Sequence, residues 1–234
     1  MTDQRLLADQ IAYYRARAGE YDEWFLREGR YDRGPDHRAR WFGEIETIRR
    51  ALSAAIAGAD VIELACGTGL WTEQLARENR QVYAVDASPE AVAINRNRIG
   101  TANVQYEIVD LFSWTPAAQF DAVFFAFWLS HVPPVKFDAF WRTVRSLLKP
   151  GGRAFFVDSL LEQTSTAKDH QGLDDSGVVH RKLNDGREFD IVKVFYQPEQ
   201  LQTRLTAFGW SGKVHASGKF FYYGCMVPAQ SVRL

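Results

Sequence analysis

The chain has 234 residues, a net charge of −1 and 46% apolar content, enough for one domain with a sizeable core. That balance excludes a generally basic protein recruited to nucleic acid or an anionic membrane. No apolar run approaches the roughly 18 residues a membrane span needs, and the first residues lack the apolar core of a secretory signal, so a cytoplasmic protein is expected. Two cysteines, Cys66 and Cys225, suggest no disulfide framework and cannot make a zinc site alone.

Leu6, Leu7, Ile11 and Tyr14 recur at helical spacing and predict a helix over residues 4–26. Residues 27–36, polar with two glycines and a proline, read as a loop. A second helix runs from His37 to Ala57 on the stripe Trp41, Ile45, Ile48 and Leu52. The apolar run from Val61 carries one acid, Glu63, and ends in the small-residue loop Ala65-Cys66-Gly67-Thr68-Gly69. A helix is expected over 70–79. This is the strand, tight turn and helix that open a doubly wound fold. Gly67 and Gly69 admit backbone angles closed to other residues and leave no Cβ between the main chain and a ligand.

Gln81 to Asp86 is a second strand ending in an acid, followed by a helix from Pro89 to Arg98 with Ser88 as its cap. Val104 to Asp110 is a third strand, again ending in an acid and followed by Leu111. Phe120 to Phe127 is nearly all apolar and reads as a strand buried on both faces. It leaves through Trp128-Leu129-Ser130-His131. A helix over 135–148 and the turn Lys149 to Gly152 lead into a fifth strand, 153–158. Asn184-Asp185-Gly186, between strands 178–183 and 187–196, is a strong hairpin signal. A helix to Phe208 and strands 211–217 and 219–227 complete a Rossmann-like, doubly wound, mostly parallel seven-stranded α/β sheet. Aromatic residues make up 14% of the chain, which suits either a core or a pocket for a flat organic molecule.

The run acid-x-Ala-x-Gly-x-Gly, from Glu63 to Gly69, with Asp86 and Asp110 closing the next two strands and Leu147-Leu148-Lys149-Pro150-Gly151-Gly152 before the fifth, resembles the class I S-adenosylmethionine (SAM) dependent methyltransferases. Ala65 stands where that family often has a glycine. The rival is a nicotinamide-binding domain, but Gly67-x-Gly69-x-x-Thr72 puts threonine where its fingerprint asks for a small residue, and that fingerprint has no use for Asp110. The resemblance implies SAM as cofactor and S-adenosylhomocysteine (SAH) as product. It places Glu63, Ala65, Gly67, Gly69, Asp86, Ala87, Asp110, Leu111 and Phe127 around the cofactor. Asp86 would accept from the ribose diol, Asp110 from the adenine amine, and the Leu111 N–H would meet a ring nitrogen. The segment Tyr13 to Asp22 resembles the Tyr-rich first helix of small-molecule members, so Tyr14, Arg15 and Tyr21 would cover the cofactor, with residues 1–57 as a helical lid.

The expected activity is methylation of a small aromatic or apolar acceptor, at oxygen rather than nitrogen. His131, leaving the fourth strand beside the expected methyl position, is the first candidate general base. A histidine that merely caps the next helix has the same sequence. Trp128, Asp158 and His180 are the candidate acceptor contacts, His180 because the insertion 160–197 would lie over the acceptor. His170 and His180, on or near the hairpin, are further candidate bases, and His37 and His215 read as structural. No metal-ligand cluster is visible, so no metal is expected. Partners would be the small acceptor only, without nucleic acid or membrane, and the assembly a monomer or homodimer. The alternatives are an RNA or protein methyltransferase and a non-catalytic SAM-binding partner protein.

Overall fold

A computed structural model describes residues 3–100, 103–170 and 173–229. Seven strands form one sheet: β1 (Asp60–Leu64), β2 (Gln81–Asp86), β3 (Val104–Ile108), β4 (Phe120–Ala126), β5 (Leu148–Ser159), β8 (Trp210–Ala216) and β9 (Phe221–Pro228), in the order β3-β2-β1-β4-β5-β9-β8. The first five run parallel, and β9 and β8 add an antiparallel edge. The strand order reverses between β1 and β4, so their carboxyl ends open a crevice there. The separate hairpin is β6 (Val178–Lys182) and β7 (Glu188–Val192).

Helices cover both faces, which is why β1 and β4 are apolar throughout apart from Glu63 and their first residues. On one face α3 (Pro35–Ile56), α4 (Thr72–Glu78) and α5 (Pro89–Ile99) bury Trp41, Ile48, Leu75 and Val92 against Phe124 and Phe155. On the other, α6 (Phe137–Ser146) and α7 (Pro198–Ala207) bury Trp141, Leu201 and Leu205 against Phe125 and Phe156. A third, smaller cluster joins Tyr13 of α1 (Asp3–Arg17) to Val179, Leu183 and Ile191 of the hairpin.

Three expectations need correction. The single helix over 4–26 is two, α1 and α2 (Tyr21–Leu26), because the chain turns at Ala18-Gly19-Glu20, where glycine disfavours helix. The turn re-aims Tyr21. The helix expected over 135–148 is shorter, since tight turns at Pro134–Lys136 precede it and Leu148 already belongs to β5. The expected turn at Lys149 to Gly152 is instead an irregularity within β5. Pairing jumps from Phe120↔Leu148 to Ala122↔Arg153, and Gly151 takes φ 81° there.

Candidate functional site

Two cavities meet at the carboxyl ends of β1 and β4. The first, about 800 Å³, is lined by Ala65, Gly67, Asp86, Ala87, Asp110, Leu111, Phe127, Trp128 and His131, with Tyr14 and Tyr21 arching over from α1 and α2. Its wall is mostly apolar, with two acids at neighbouring strand ends. Gly67 bends the loop with φ 54° and its N–H donates to Asp86 Oδ2 at 2.8 Å. Asp86 Oδ1 accepts from the Ser88 N–H at 2.8 Å. Burial raises the Asp86 pKa and these backbone donors pull it back down. Ala65 and Phe127, where β1 and β4 end, both take φ 55°, the left-handed region that suits glycine. Ala65 therefore accepts strain in a conformation that glycine would take freely.

Glu63 and Gly69 lie behind this wall. Glu63 is 2% exposed and accepts from the Thr72 hydroxyl at 2.6 Å. Asn95 donates to Thr72 Oγ1 at 2.8 Å, and Tyr106 donates to Asn95 Oδ1 at 2.8 Å. Glu63 thus ties β1 to α4, α5 and β3, and it borders only a smaller recess beneath the glycine loop. At Gly69 a Cβ would stand 2.6 Å from Asn95 Oδ1, so this glycine serves the close approach of α5. Arg15, expected near the cofactor, points outward and pairs with Glu90 at 2.8 Å.

The second cavity, about 580 Å³, lies under the hairpin and shares Tyr14, Tyr21, Phe127 and His131 with the first. Its other lining includes Arg17, Arg181 and Lys193, with Tyr13, Tyr31 and His170. Arg17 is 8% exposed, held between Tyr13 and Tyr21 with its guanidinium carbon 5.6 and 4.9 Å from their ring centres. Among the described residues neither Arg17 nor Arg181 has a carboxylate within salt-bridge distance, while Lys193 is 3.5 Å from Asp158. His131 is 5% exposed. Burial first, then the charge of Lys193, holds its pKa well below the usual histidine value, with Arg181 and Arg17 adding to the effect. His170 is pushed down to about 4, again by burial and then Arg181. Both imidazoles are neutral at physiological pH.

His180 and Asp158 are placed differently from expectation. Side chains alternate along β6, so with Val179 buried and Arg181 turned to the cavity, His180 faces outward. There it bonds to Asp190 at 2.9 Å. Asp158 is fully buried and lines neither cavity. It accepts from the N–H groups of Ser130 and Ser159 at 2.8 and 2.7 Å and so steadies the loop that carries His131. Sequence reading missed Arg17, Arg181 and Lys193, and also Phe112, which lies 5.4 Å from Trp128 in the first cavity. A signal existed for two of them: Arg181 and Lys193 alternate with Val179, Leu183 and Ile191 on the apolar face of the hairpin.

A switch-point crevice with a glycine loop and acids at two successive strand ends defines an α/β protein built around an adenosyl cofactor. The acids, the cradle without a Cβ at Gly67 and the mostly apolar wall fit SAM. Residues 61–152 match the model of a methyltransferase domain family. DhpI, solved in complex with SAM and HEP, is 42% identical over 97% of this chain and 100% of its own, with a TM-score of 0.79. The CcbJ methyltransferase from Streptomyces caelestis, 19% identical, covers 93% of this chain and 98% of its own at a TM-score of 0.65 and shows the fold alone. A ubiquinone biosynthesis O-methyltransferase from Xanthomonas axonopodis pv. citri (strain 306) is 39% identical over 115 residues, 47% of this chain and 46% of that protein. The chain thus spans about half the length of the curated relatives it matches. It belongs to the class I SAM-dependent methyltransferases, and is an enzyme that takes its methyl group from SAM and leaves SAH. No helix among the described residues is long and apolar enough to cross a membrane.

Proposed function

We propose that this enzyme methylates an oxygen of a small organic anion held in the second cavity. The observation that carries the reading is the pair Arg17 and Arg181, cations that line the second cavity without a carboxylate partner among the described residues. Leaving such charges uncompensated costs on the order of several kcal/mol, and a bound anion removes that cost. The aromatic side walls from Tyr13, Tyr21 and Tyr31 also accept a flat ring, so an aromatic acid meets both the sequence expectation and the charge. Relatives named as O-methyltransferases support oxygen as the attacked atom.

On this reading Asp86 takes the ribose hydroxyls, Asp110 and Leu111 take the adenine, and Ala65 to Gly67 border the amino-acid tail of the cofactor. The segment α1–α2 and the hairpin serve as the cover that keeps water out, because methyl transfer needs a dry, positioned pair of reactants more than it needs acid–base chemistry. The test is an initial-rate survey of SAH formation that pairs small carboxylic, phosphonic and phenolic acids with their neutral esters or amides. Turnover is expected for acids alone. Arg181→Gln should raise the acceptor KM about tenfold or more, the scale of a lost charge-assisted hydrogen bond, with SAM affinity unchanged. Equal turnover of neutral acceptors by the wild type and the variant would remove the proposal.

A further inference from the structure

Tyr14 and His131 form a single hydrogen-bonded unit where the two cavities meet. The Val192 carbonyl lies 2.6 Å from His131 Nδ1. A carbonyl only accepts, so Nδ1 carries the proton and the Nε2 lone pair is left for Tyr14 Oη at 2.7 Å. The phenol hydrogen is thereby committed to His131, and Tyr14 presents only oxygen lone pairs to the cavities. Three further contacts lock the arrangement. Gln10 of α1 donates to the His131 carbonyl and accepts from the Val192 N–H, both at 3.1 Å. Asp158 holds the neighbouring Ser130 N–H at 2.8 Å.

Lone pairs aimed at this junction repel an anionic oxygen and attract a positively charged methyl donor. Deeper on the acceptor side stand the cations Arg17, Arg181 and Lys193, which suit the anion. We propose that Tyr14 is a catalytic residue whose Oη receives C–H···O contacts from the sulfonium methyl and aims it at the acceptor, and that His131 is a positioning residue acting through Tyr14. In the reaction the ionised acceptor oxygen forms its bond to the methyl carbon as the carbon–sulfur bond breaks, the electron pair of that bond stays on sulfur, and no proton moves. A base role for His131 would need Tyr14 to pass its proton to Nε2 while taking one from the acceptor. That would create an imidazolium facing Lys193, Arg181 of β6 and Arg17 of α1, three positive charges of which only Lys193 has an acid beside it, Asp158 of β5 at 3.5 Å. This mechanism rests on the anionic acceptor proposed above, whereas the contact of Tyr14 with the cofactor does not.

The test therefore has two arms. Calorimetric titration of wild type and Tyr14→Phe with SAM and SAH needs no acceptor. Tyr14→Phe keeps the ring, and an unchanged circular dichroism spectrum and melting temperature confirm its fold. The ratio of the SAH to the SAM dissociation constant should fall about two- to fivefold in Tyr14→Phe, the scale of C–H···O contacts; an unchanged ratio overturns the assignment of Tyr14. In the second arm, steady-state kinetics on the acid acceptor, Tyr14→Phe and His131→Asn should each lose about tenfold or more in kcat, a modest fraction of what misaligned reactants can cost, with the acceptor KM held within about threefold. The double variant should be no slower than the worse single one, the signature of residues that act as a unit. The His131→Asn deficit should stay constant between about pH 6 and 9. A deficit that closes tenfold per pH unit, or losses that multiply in the double variant, would restore His131 as a base and overturn its assignment as a positioning residue. Failure of the acid acceptors with a shifted SAH to SAM ratio would strike the acceptor class and the proton-free step while leaving the Tyr14 contact standing.

Discussion

Glu63 lies in the middle of β1 with the Thr72 hydroxyl as its hydrogen-bond donor. Burial pushes its pKa up to about 8, against roughly 4.3 in an unfolded chain. Between those values the folded protein holds a proton that the unfolded chain has released, so stability falls as pH rises through that window. Glu63→Gln keeps an oxygen for Thr72 and removes the ionisation. Calorimetric scans should show the variant matching wild type near pH 5 and exceeding it by on the order of 2–4 kcal/mol near pH 9. Parallel curves for the two proteins across that range would mean that Glu63 ionises without penalty. Cys66, in the glycine loop that follows β1, is buried with its thiol pKa raised by burial and then by Asp86, which keeps it a thiol rather than a nucleophile.

The cover over the two cavities is tied down at defined points. Asp22 on α2 accepts from Thr68 of the glycine loop at 2.6 Å and pairs with Arg98 on α5. At the other end Glu20 and Glu23 accept from Asn184 in the hairpin turn, at 2.9 and 3.0 Å. The break at Gly19 lets one short segment reach both places. Asp22→Ala cuts the tether to the glycine loop while leaving the hairpin contacts. It should weaken SAM binding about tenfold, the worth of one charge-assisted hydrogen bond, as read by calorimetry. An unchanged affinity would show that the glycine loop keeps its shape without α2. The exposed pair Arg15 and Glu90 is expected to contribute little, as solvated ion pairs do.

Across the molecule, the two cavities differ in charge: acids line the one and cations the other. The cationic side is costly by itself, because Arg17 and Arg181 gain no carboxylate among the described residues. Arg181→Gln should therefore raise the melting temperature of the free enzyme by about 2–6 °C, from about 1–2 kcal/mol of relieved charge in a chain of this size. At a given concentration the anionic acceptor should stabilise wild type more than the variant. A lower melting temperature for Arg181→Gln would mean that the guanidinium is already well satisfied by its surroundings. Stability given up at a binding site in this way is what a functional site built for a charged ligand requires.

The βα units were legible because their signals are local. The glycine loop, Asp86 and Asp110 each sit next to the strand whose apolar run announces it, and strand order in a parallel sheet then brings the three together. The hairpin was legible from Asn184-Asp185-Gly186, and its pleat, read strictly, turns Arg181 inward and His180 outward. The second cavity was not legible in the same way. Arg17, Arg181 and Lys193 come from α1 and from the two arms of the hairpin, and nothing in their local sequence says that a turn at Gly19 and the packing of Tyr13 on Val179 and Ile191 will make them neighbours. Local sequence was enough for the fold, the cofactor and the strand-end acids, since these follow from contiguous patterns of polarity and backbone freedom. That the second cavity is cationic and that His131 is bonded to Tyr14 emerged from the folded chain alone, because both depend on contacts between segments more than a hundred residues apart, which local pattern does not encode.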